Sequence, residues 1–231
     1  TALVTLSDAR SSVSEAYRTM RTNLLFSESA RSLKVIGITS PSPGEGKTTT
    51  STNLAVTFAQ QGVNVLLVDC DLRRAAAHTL FDLQREPGLT QVLLGYGSAA
   101  DVVQKTSVPG LHVMTAGTFP PNPAEIIGSP AMRDFIQEIR GSYELIIVDC
   151  APILVAADTS ILSTLTDGVL LVVRAGRTER RAAVDALRQL RAVGARVLGA
   201  VLNDPDVKLP KYDYGGNYNY YYAKEYSSAE V

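Results

Sequence analysis

Residues 43–50 read Pro-Gly-Glu-Gly-Lys-Thr-Thr-Thr, and where they sit constrains the fold more than anything else in the chain. An apolar run at 33–39 (LKVIGIT) precedes them, and a segment with the look of a helix follows at 47–61, closed by Gly62. A glycine loop between a buried strand and a helix start is a phosphate cradle: Gly44 and Gly46 let backbone N–H groups approach phosphate oxygens, and the helix N-terminus adds positive partial charge. Lys47 then reaches the β and γ phosphates, and the Thr48 hydroxyl is placed to ligate Mg²⁺. The full pattern asks for glycine five positions before Gly46, where Pro41 stands; the Gly-Glu-Gly-Lys-Thr core is intact.

Further apolar runs at 63–68, 111–115, 144–148, 168–173 and 196–202 alternate with helical patterns at 12–27, 129–140 and about 179–193. Ser129-Pro130 opens one helix as cap and first residue, Ser12 with Glu15 fits a capping box on another, and 72–110 is expected to hold short helices, one near 89–94. Strands apolar throughout, alternating with helices, predict an α/β fold: a P-loop NTPase-like parallel sheet covered by helices on both faces. Ligands bind at the carboxyl ends of such strands. From Asp204 onward the periodicity disappears, which divides the chain into a core at 1–203 and a flexible tyrosine-rich tail at 204–231.

Two acidic motifs fall at strand ends. Asp149 follows the run 144–148 and can hold the metal or its water. Asp69 and Asp71 follow 63–68, two residues apart in extended chain, so their side chains point the same way. One could sit at the metal while the other accepts a proton from an attacking hydroxyl. An ordinary strand-end Asp beside a helix-capping Asp is the plainer account.

The 231 residues carry a formal net charge of −1, which gives no basic footprint for nucleic acid. No apolar run reaches the roughly 18 residues of a membrane helix, and no signal peptide is visible. Cys70 and Cys150 read as small packed residues in a reducing cytoplasm. The start at Thr1 rather than Met favours a domain cut from a longer chain.

The loop, the Asp69-x-Asp71 pair and Asp149, in this order and spacing, resemble the bacterial tyrosine kinases, which phosphorylate tyrosine on a P-loop fold unrelated to eukaryotic protein kinases. The resemblance covers about residues 10–222 and extends to His78, Phe81, Gly88-Leu89, Leu93, Gly95, Thr115-Ala116-Gly117, 120–125 and 199–203. It implies that Gly44, Glu45, Gly46, Lys47, Thr48 and Thr49 bind ATP, that Asn203 contacts the adenine, and that Asp69 is the catalytic base. Lys47, Asp71 and Asp149 complete the catalytic set, with Thr48, Asp71 and Asp149 at Mg²⁺. Two departures, Asp149-Cys150-Ala151-Pro152 for the family's frequent Asp-Thr-Pro-Pro and Ala75 where proline often follows the paired arginines, leave every functional group in place.

Glu15, Arg18 and Arg21 are spaced three apart and fan over about 120° of one helix face. Spacing alone favours a solvated face with weak ion pairs. The resemblance implies instead a Glu-x-x-Arg-x-x-Arg motif that joins subunits into a ring, octamer-like in size.

Residues 212–226 hold seven of the chain's ten tyrosines: Tyr212, Tyr214, Tyr218, Tyr220, Tyr221, Tyr222 and Tyr226. A coil of about 20 residues spans roughly 25 Å and stretches to about 65 Å, enough to reach its own site or a neighbour's. Beside a phosphate loop, this density of phenols points to autophosphorylation, against the simpler account of an aromatic low-complexity tail. Each phosphate adds about −1.5 to −2 charges, so several would shift the tail by roughly −10 and drive gathered tails apart.

Two other functions fit the core. One is a nucleotide-gated ATPase switch of the cell-division and plasmid-partition type, whose loop usually carries a further lysine at the position of Ser42. The other is an idle module that binds ATP and presents tyrosines to a partner. The resemblance also implies a transmembrane activator, fused or separate, a cognate tyrosine phosphatase, a place at the cytoplasmic face of the bacterial plasma membrane, and a role in capsule or exopolysaccharide production.

Overall fold

Short apolar runs bounded by polar turns become the strands β1 (Val35–Thr39), β2 (Val65–Asp69), β4 (Leu111–Met114), β5 (Leu145–Asp149), β6 (Gly168–Arg174) and β7 (Val197–Asn203). A two-residue strand, β3 (Gln104–Lys105), pairs antiparallel with β4; all other pairings are parallel. The computed structural model describes residues 3–26 and 33–204, and within them the sheet order is β3-β4-β2-β5-β1-β6-β7. The expected tail boundary at 204 and the tyrosine cluster therefore lie at and beyond the end of the described residues.

Alternate residues of each central strand serve opposite faces. Val65 and Leu67 pack with α3 (Lys47–Ala59) and with Leu24 of α2 (Ser12–Phe26), whereas Leu66 and Val68 pack with α5 (Leu89–Leu93) and α8 (Pro130–Ser142). Leu54, Ile36 and Ile38 are fully buried, each contributing on the order of 2 kcal/mol by area. On the second face α10 (Arg180–Ala192) sets Ala186 and Leu190 against Val169 and Leu171 of β6. Both faces are covered, as expected for strands without polar alternation.

Four short helices complete the described residues: α1 (Val4–Ser7), α4 (Ala77–Phe81), α6 (Ala99–Val102) and α7 (Pro123–Ile127), with α9 (Ala157–Ser163) a little longer. Ser129 caps α8 by accepting the Met132 N–H, with Pro130 in its first turn. The cap of α2 differs from expectation. Ser11, not Ser12, accepts the Ser14 N–H, because α1 folds back and Ser14 donates to the Asp8 carbonyl at 2.6 Å. Glu15 is thereby released from capping and pairs with Arg18 at 2.7 Å.

Candidate active site

β1 connects through α3 to β2 on one side of the sheet, whereas its neighbour β5 connects through α9 to β6 on the other, and the reversal opens a crevice at the carboxyl ends of β1 and β5. The glycine loop occupies that crevice. Gly44 and Gly46 have φ of 78° and 95°, left-handed values that suit glycine. A Cβ on Gly46 would also lie 2.0 Å from Asn203 Nδ2. This close approach carries a hydrogen bond: Asn203, the last residue of β7, donates to the Glu45 carbonyl at 3.0 Å.

The loop is braced at further points that the sequence does not advertise. Glu45 is buried; its carboxylate accepts the Ser42 N–H at 2.8 Å and the Thr178 hydroxyl at 2.6 Å. Arg174 donates to the Gly44 carbonyl at 3.2 Å and pairs with Asp204 at 2.6 Å. Arg174 and Thr178 lie about β6 and its following turn, over 120 residues from the loop, and nothing in their local sequence marks them.

Asp69 and Asp149 are direct partners in the register of β2 and β5. Lys47 turns toward these strand tips, with Nζ 2.8 Å from Asp71 Oδ2 and 3.8 Å from Asp149 Oδ1. Burial disfavours its charge, but Asp149 and Asp71 outweigh that and raise its pKa above the ordinary lysine value. Ser51, one turn into α3, lies 3.1 Å from Asp149 Oδ1. Burial raises the Asp149 pKa against the opposing pull of Lys47.

Asp69 sits behind this cluster. Oδ1 accepts the Asp71 N–H, and Oδ2 accepts the N–H groups of Ala76 and Ala77, which fixes the turn after β2. Burial and the neighbouring Asp149 push its pKa up to about 7. The two carboxylates expected on one side thus divide: Asp71 lines the cleft and Asp69 anchors the loop that carries it.

The cleft, about 560 Å³, is lined by the loop residues Pro43, Gly44, Gly46 and Lys47 to Thr49, by Asp71, and by Arg73 and Arg74. Pro152, Val155 and Ala156 form an apolar lip opposite. Arg73 is held by a bidentate pair with the fully buried Asp158 at 2.9 and 3.1 Å. Asp149 Oδ2 is buried without a hydrogen-bond partner, an acceptor suited to a cation or its bound water. Among the described residues no group of three His, Cys, Asp or Glu could cage a metal by itself. Two carboxylates and a threonine hydroxyl suit Mg²⁺, which commonly takes one or two carboxylates and completes its shell with substrate phosphates and water.

The three α2 residues do not share one environment. Glu15 and Arg18 are outside and paired, whereas Arg21 is buried, with Nη1 donating to the Thr57 carbonyl of α3 at 2.7 Å. Cys70 and Cys150 are free and buried, as small packed residues at strand ends.

A parallel sheet with a glycine loop at its switch point, a loop lysine and convergent strand-tip carboxylates defines a P-loop nucleotide-binding domain. A family model described as AAA domain matches residues 33–196. The chain is 43% identical over 223 residues to tyrosine-protein kinase YwqD of Bacillus subtilis (strain 168), across 96% of this chain and 92% of that protein. It is 34% identical to the putative tyrosine-protein kinase CapB of Staphylococcus aureus, across 94% and 92%. With the putative tyrosine-protein kinase EpsB of Ralstonia solanacearum, identity is 37% across 92% of this chain but only 28% of that longer protein. The solved kinase domain of Escherichia coli tyrosine kinase ETK superposes with a TM-score of 0.86 at 32% identity, covering 93% of this chain and 84% of that one. The chain belongs to the bacterial tyrosine kinase family. Its likeness to the septum site-determining protein MinD of Pyrococcus horikoshii, at 23% identity and a TM-score of 0.63 over 73% and 69% of the chains, is one of fold alone.

Proposed function

We propose that this chain transfers the γ-phosphoryl of Mg-ATP to tyrosine hydroxyls of its own 212–226 cluster, between subunits of a ring. The observation that carries the reading is the convergence of Lys47, Asp71 and Asp149 on one side of the phosphate loop, with Asp149 Oδ2 unpartnered. In this reading the loop N–H groups and Lys47 hold the β and γ phosphates, and Asn203 at the loop's edge meets the adenine. Thr48, Asp71 and Asp149 would hold the magnesium ion, which would neutralise phosphate charge when bound. The phenol enters past the apolar lip of Pro152 and Val155. Its oxygen bonds to the γ phosphorus as the bond to the bridging oxygen breaks, ADP leaves, and the phenol proton passes to a carboxylate. We assign that role to Asp69; its oxygens accept the N–H groups of Asp71, Ala76 and Ala77 behind the cleft, so the transfer requires the turn that carries Asp71 to shift.

The Glu15 and Arg18 side of α2 would meet the neighbouring subunit in an octamer-like ring. Among the described residues no helix is long and apolar enough to cross a membrane. The reading places the chain at the cytoplasmic face of the plasma membrane, served by a transmembrane activator and a cognate tyrosine phosphatase, in control of capsule or exopolysaccharide production.

Incubation with γ-labelled ATP tests the activity. Label on tyrosines of the C-terminal peptide, absent in Lys47→Met, is the expected result. Free phosphate without protein label would favour the ATPase switch, against which the Ser42 position argues. Neither product would leave an ATP-binding module.

A further inference from the structure

The outer side of α10 carries a row of arginines that the catalytic site does not use. Arg181, Arg188 and Arg191 project away from the buried Ala186 and Leu190, and Arg180 stands at the helix start. These four and Arg196 are all exposed. Between residues 179 and 196 five arginines face two acids, Glu179 and Asp185, a local excess of +3 on a chain of formal charge −1. Arg177 is not part of this row, because its guanidinium lies against the phosphate loop, 3.5 Å from where a Cβ on Gly44 would stand. Asp185 lies 3.8 Å from Arg181 and 3.2 Å from Arg188, yet those side chains remain 91% and 75% exposed. Among the described residues Arg180, Arg191 and Arg196 form no ion pair. Val184, also exposed, sits within the row.

The chain's own C-terminus starts beside this surface. The Asn203 carbonyl accepts the Ala175 N–H at 2.9 Å, and Asp204 pairs with Arg174, so the last described residue lies beside the end of β6, a few residues before the start of α10. Tyr212 and Tyr226 are eight and 22 residues beyond Asp204. Coils of those lengths reach roughly 15 and 27 Å. Arg181 and Arg191, ten residues apart on the helix, are separated by about 15 Å. Tether and target match in scale, and such a tether holds its segment at an effective concentration in the millimolar range.

Chemistry favours one form of that segment. Residues 205–231 carry three lysines and four acids, close to neutral until phosphates are added. Arginine, unlike lysine, grips phosphate through two parallel N–H donors and also stacks on an aromatic face, so a phosphotyrosine offers it both partners at once. We propose that the outer face of α10 is the docking surface for this chain's own phosphorylated tyrosine tail, an inference that rests on the tail being the phosphorylated segment. Docked there, the product tail is held off the phosphate-loop cleft, which is left open to the next acceptor.

The test uses the phosphatase-treated full chain and a synthetic peptide of residues 212–226 carrying phosphate on Tyr218, Tyr220 and Tyr222, followed by fluorescence anisotropy. The phosphopeptide is expected to bind, its unphosphorylated twin not to, and R181A/R188A/R191A to weaken binding at least tenfold while nucleotide binding is unchanged. Charge reversal in R188E, at an exposed position, should weaken it as well. Equal affinity for wild type and the triple variant, or no binding of the phosphopeptide, overturns the proposal. So does loss of binding to anionic lipid vesicles in the triple variant without any phosphopeptide binding, which would make the face a membrane contact. The synthetic peptide carries its phosphates however they were installed. A chain that cannot label its tail but binds this peptide therefore defeats the kinase reading and supports the docking face.

Discussion

Lys47 of the phosphate loop and Asp71 beyond the tip of β2 form an ion pair of 2.8 Å across the cleft, with both side chains almost wholly buried. The pair joins the Asp69-x-Asp71 motif to the loop, and the same Nζ lies 3.8 Å from Asp149 Oδ1. A triphosphate bound as proposed would compete with Asp71 for the lysine, and a divalent cation would then take over the countercharge to the freed carboxylate. The pair is thus a reversible lock on the site as well as a source of stability.

Replacing Lys47 by methionine removes both functions. Tyrosine labelling should vanish, and Asp71 and Asp149 would be left as buried charges without their cation. Breaking such a pair from one side costs about 3 kcal/mol or more. Urea melts near neutral pH should show a loss of this order, smaller at low pH, where the carboxylates take up protons. An unchanged midpoint at pH 7 would mean that the pair contributes nothing.

Asp69 gives the fold a pH signature. Its folded-state pKa, about 7, exceeds the ordinary carboxylate value of 3.8. Between those values the folded chain holds a proton that the unfolded chain has released, so stability from this group falls as pH rises from about 4 to 7. In Asp69→Asn that component should disappear. Melting temperatures of the two proteins across pH 4.5 to 7.5, without nucleotide, should show the wild type losing ground relative to the variant. Parallel curves would contradict the assignment.

The sequence made the sheet legible because strands buried on both faces have one reading, and the phosphate loop could sit only between such a strand and a helix. It placed the ends of β2 and β5 one residue early. Asp disfavours strands by propensity, yet Asp69 and Asp149 pair in register and extend the ladder. The two polar residues of β3 carry no periodicity, and α1, α7 and α9 are too short for a helical pattern to emerge. Within the site, Lys47, Asp71 and Asp149 were readable as motifs. The braces from Arg174 and Thr178 to the loop, the Arg73–Asp158 pair and the withdrawal of Asp69 behind Asp71 were not, since each depends on chain segments brought together only by folding.

Gly46 should tolerate no side chain. Alanine there would hold φ near 95°, which costs about 1–2 kcal/mol, and would drive its Cβ into Asn203. Gly46→Ala is expected to lose ATP binding by calorimetry while the far-UV spectrum is retained. Adding Asn203→Ala removes the collision but keeps the backbone strain and also removes the Asn203 bond to the Glu45 carbonyl, so the double variant, compared with Asn203→Ala alone, should still bind more weakly. Affinity equal to that of Asn203→Ala would show that crowding alone, not backbone conformation, reserves the position for glycine.

The proposed ring gives α2 separable roles in assembly and in stability. Glu15 and Arg18 form an exposed pair, worth at most about 1 kcal/mol, whereas Arg21 reaches into the chain to the Thr57 carbonyl. Glu15→Ala and Arg18→Ala should leave the melting temperature nearly unchanged and lower the mass seen by light scattering. Arg21→Ala should lower the melting temperature, because it strands the Thr57 carbonyl and loosens α2 from the helix that starts at Lys47; a loss of about 1–3 kcal/mol is in scale. Phosphorylated chain should be smaller than phosphatase-treated chain, since tails of roughly −10 charge repel one another. Equal masses before and after phosphatase would rule out charge-driven disassembly, and a mass unaffected by Glu15→Ala and Arg18→Ala would remove α2 from the subunit contact.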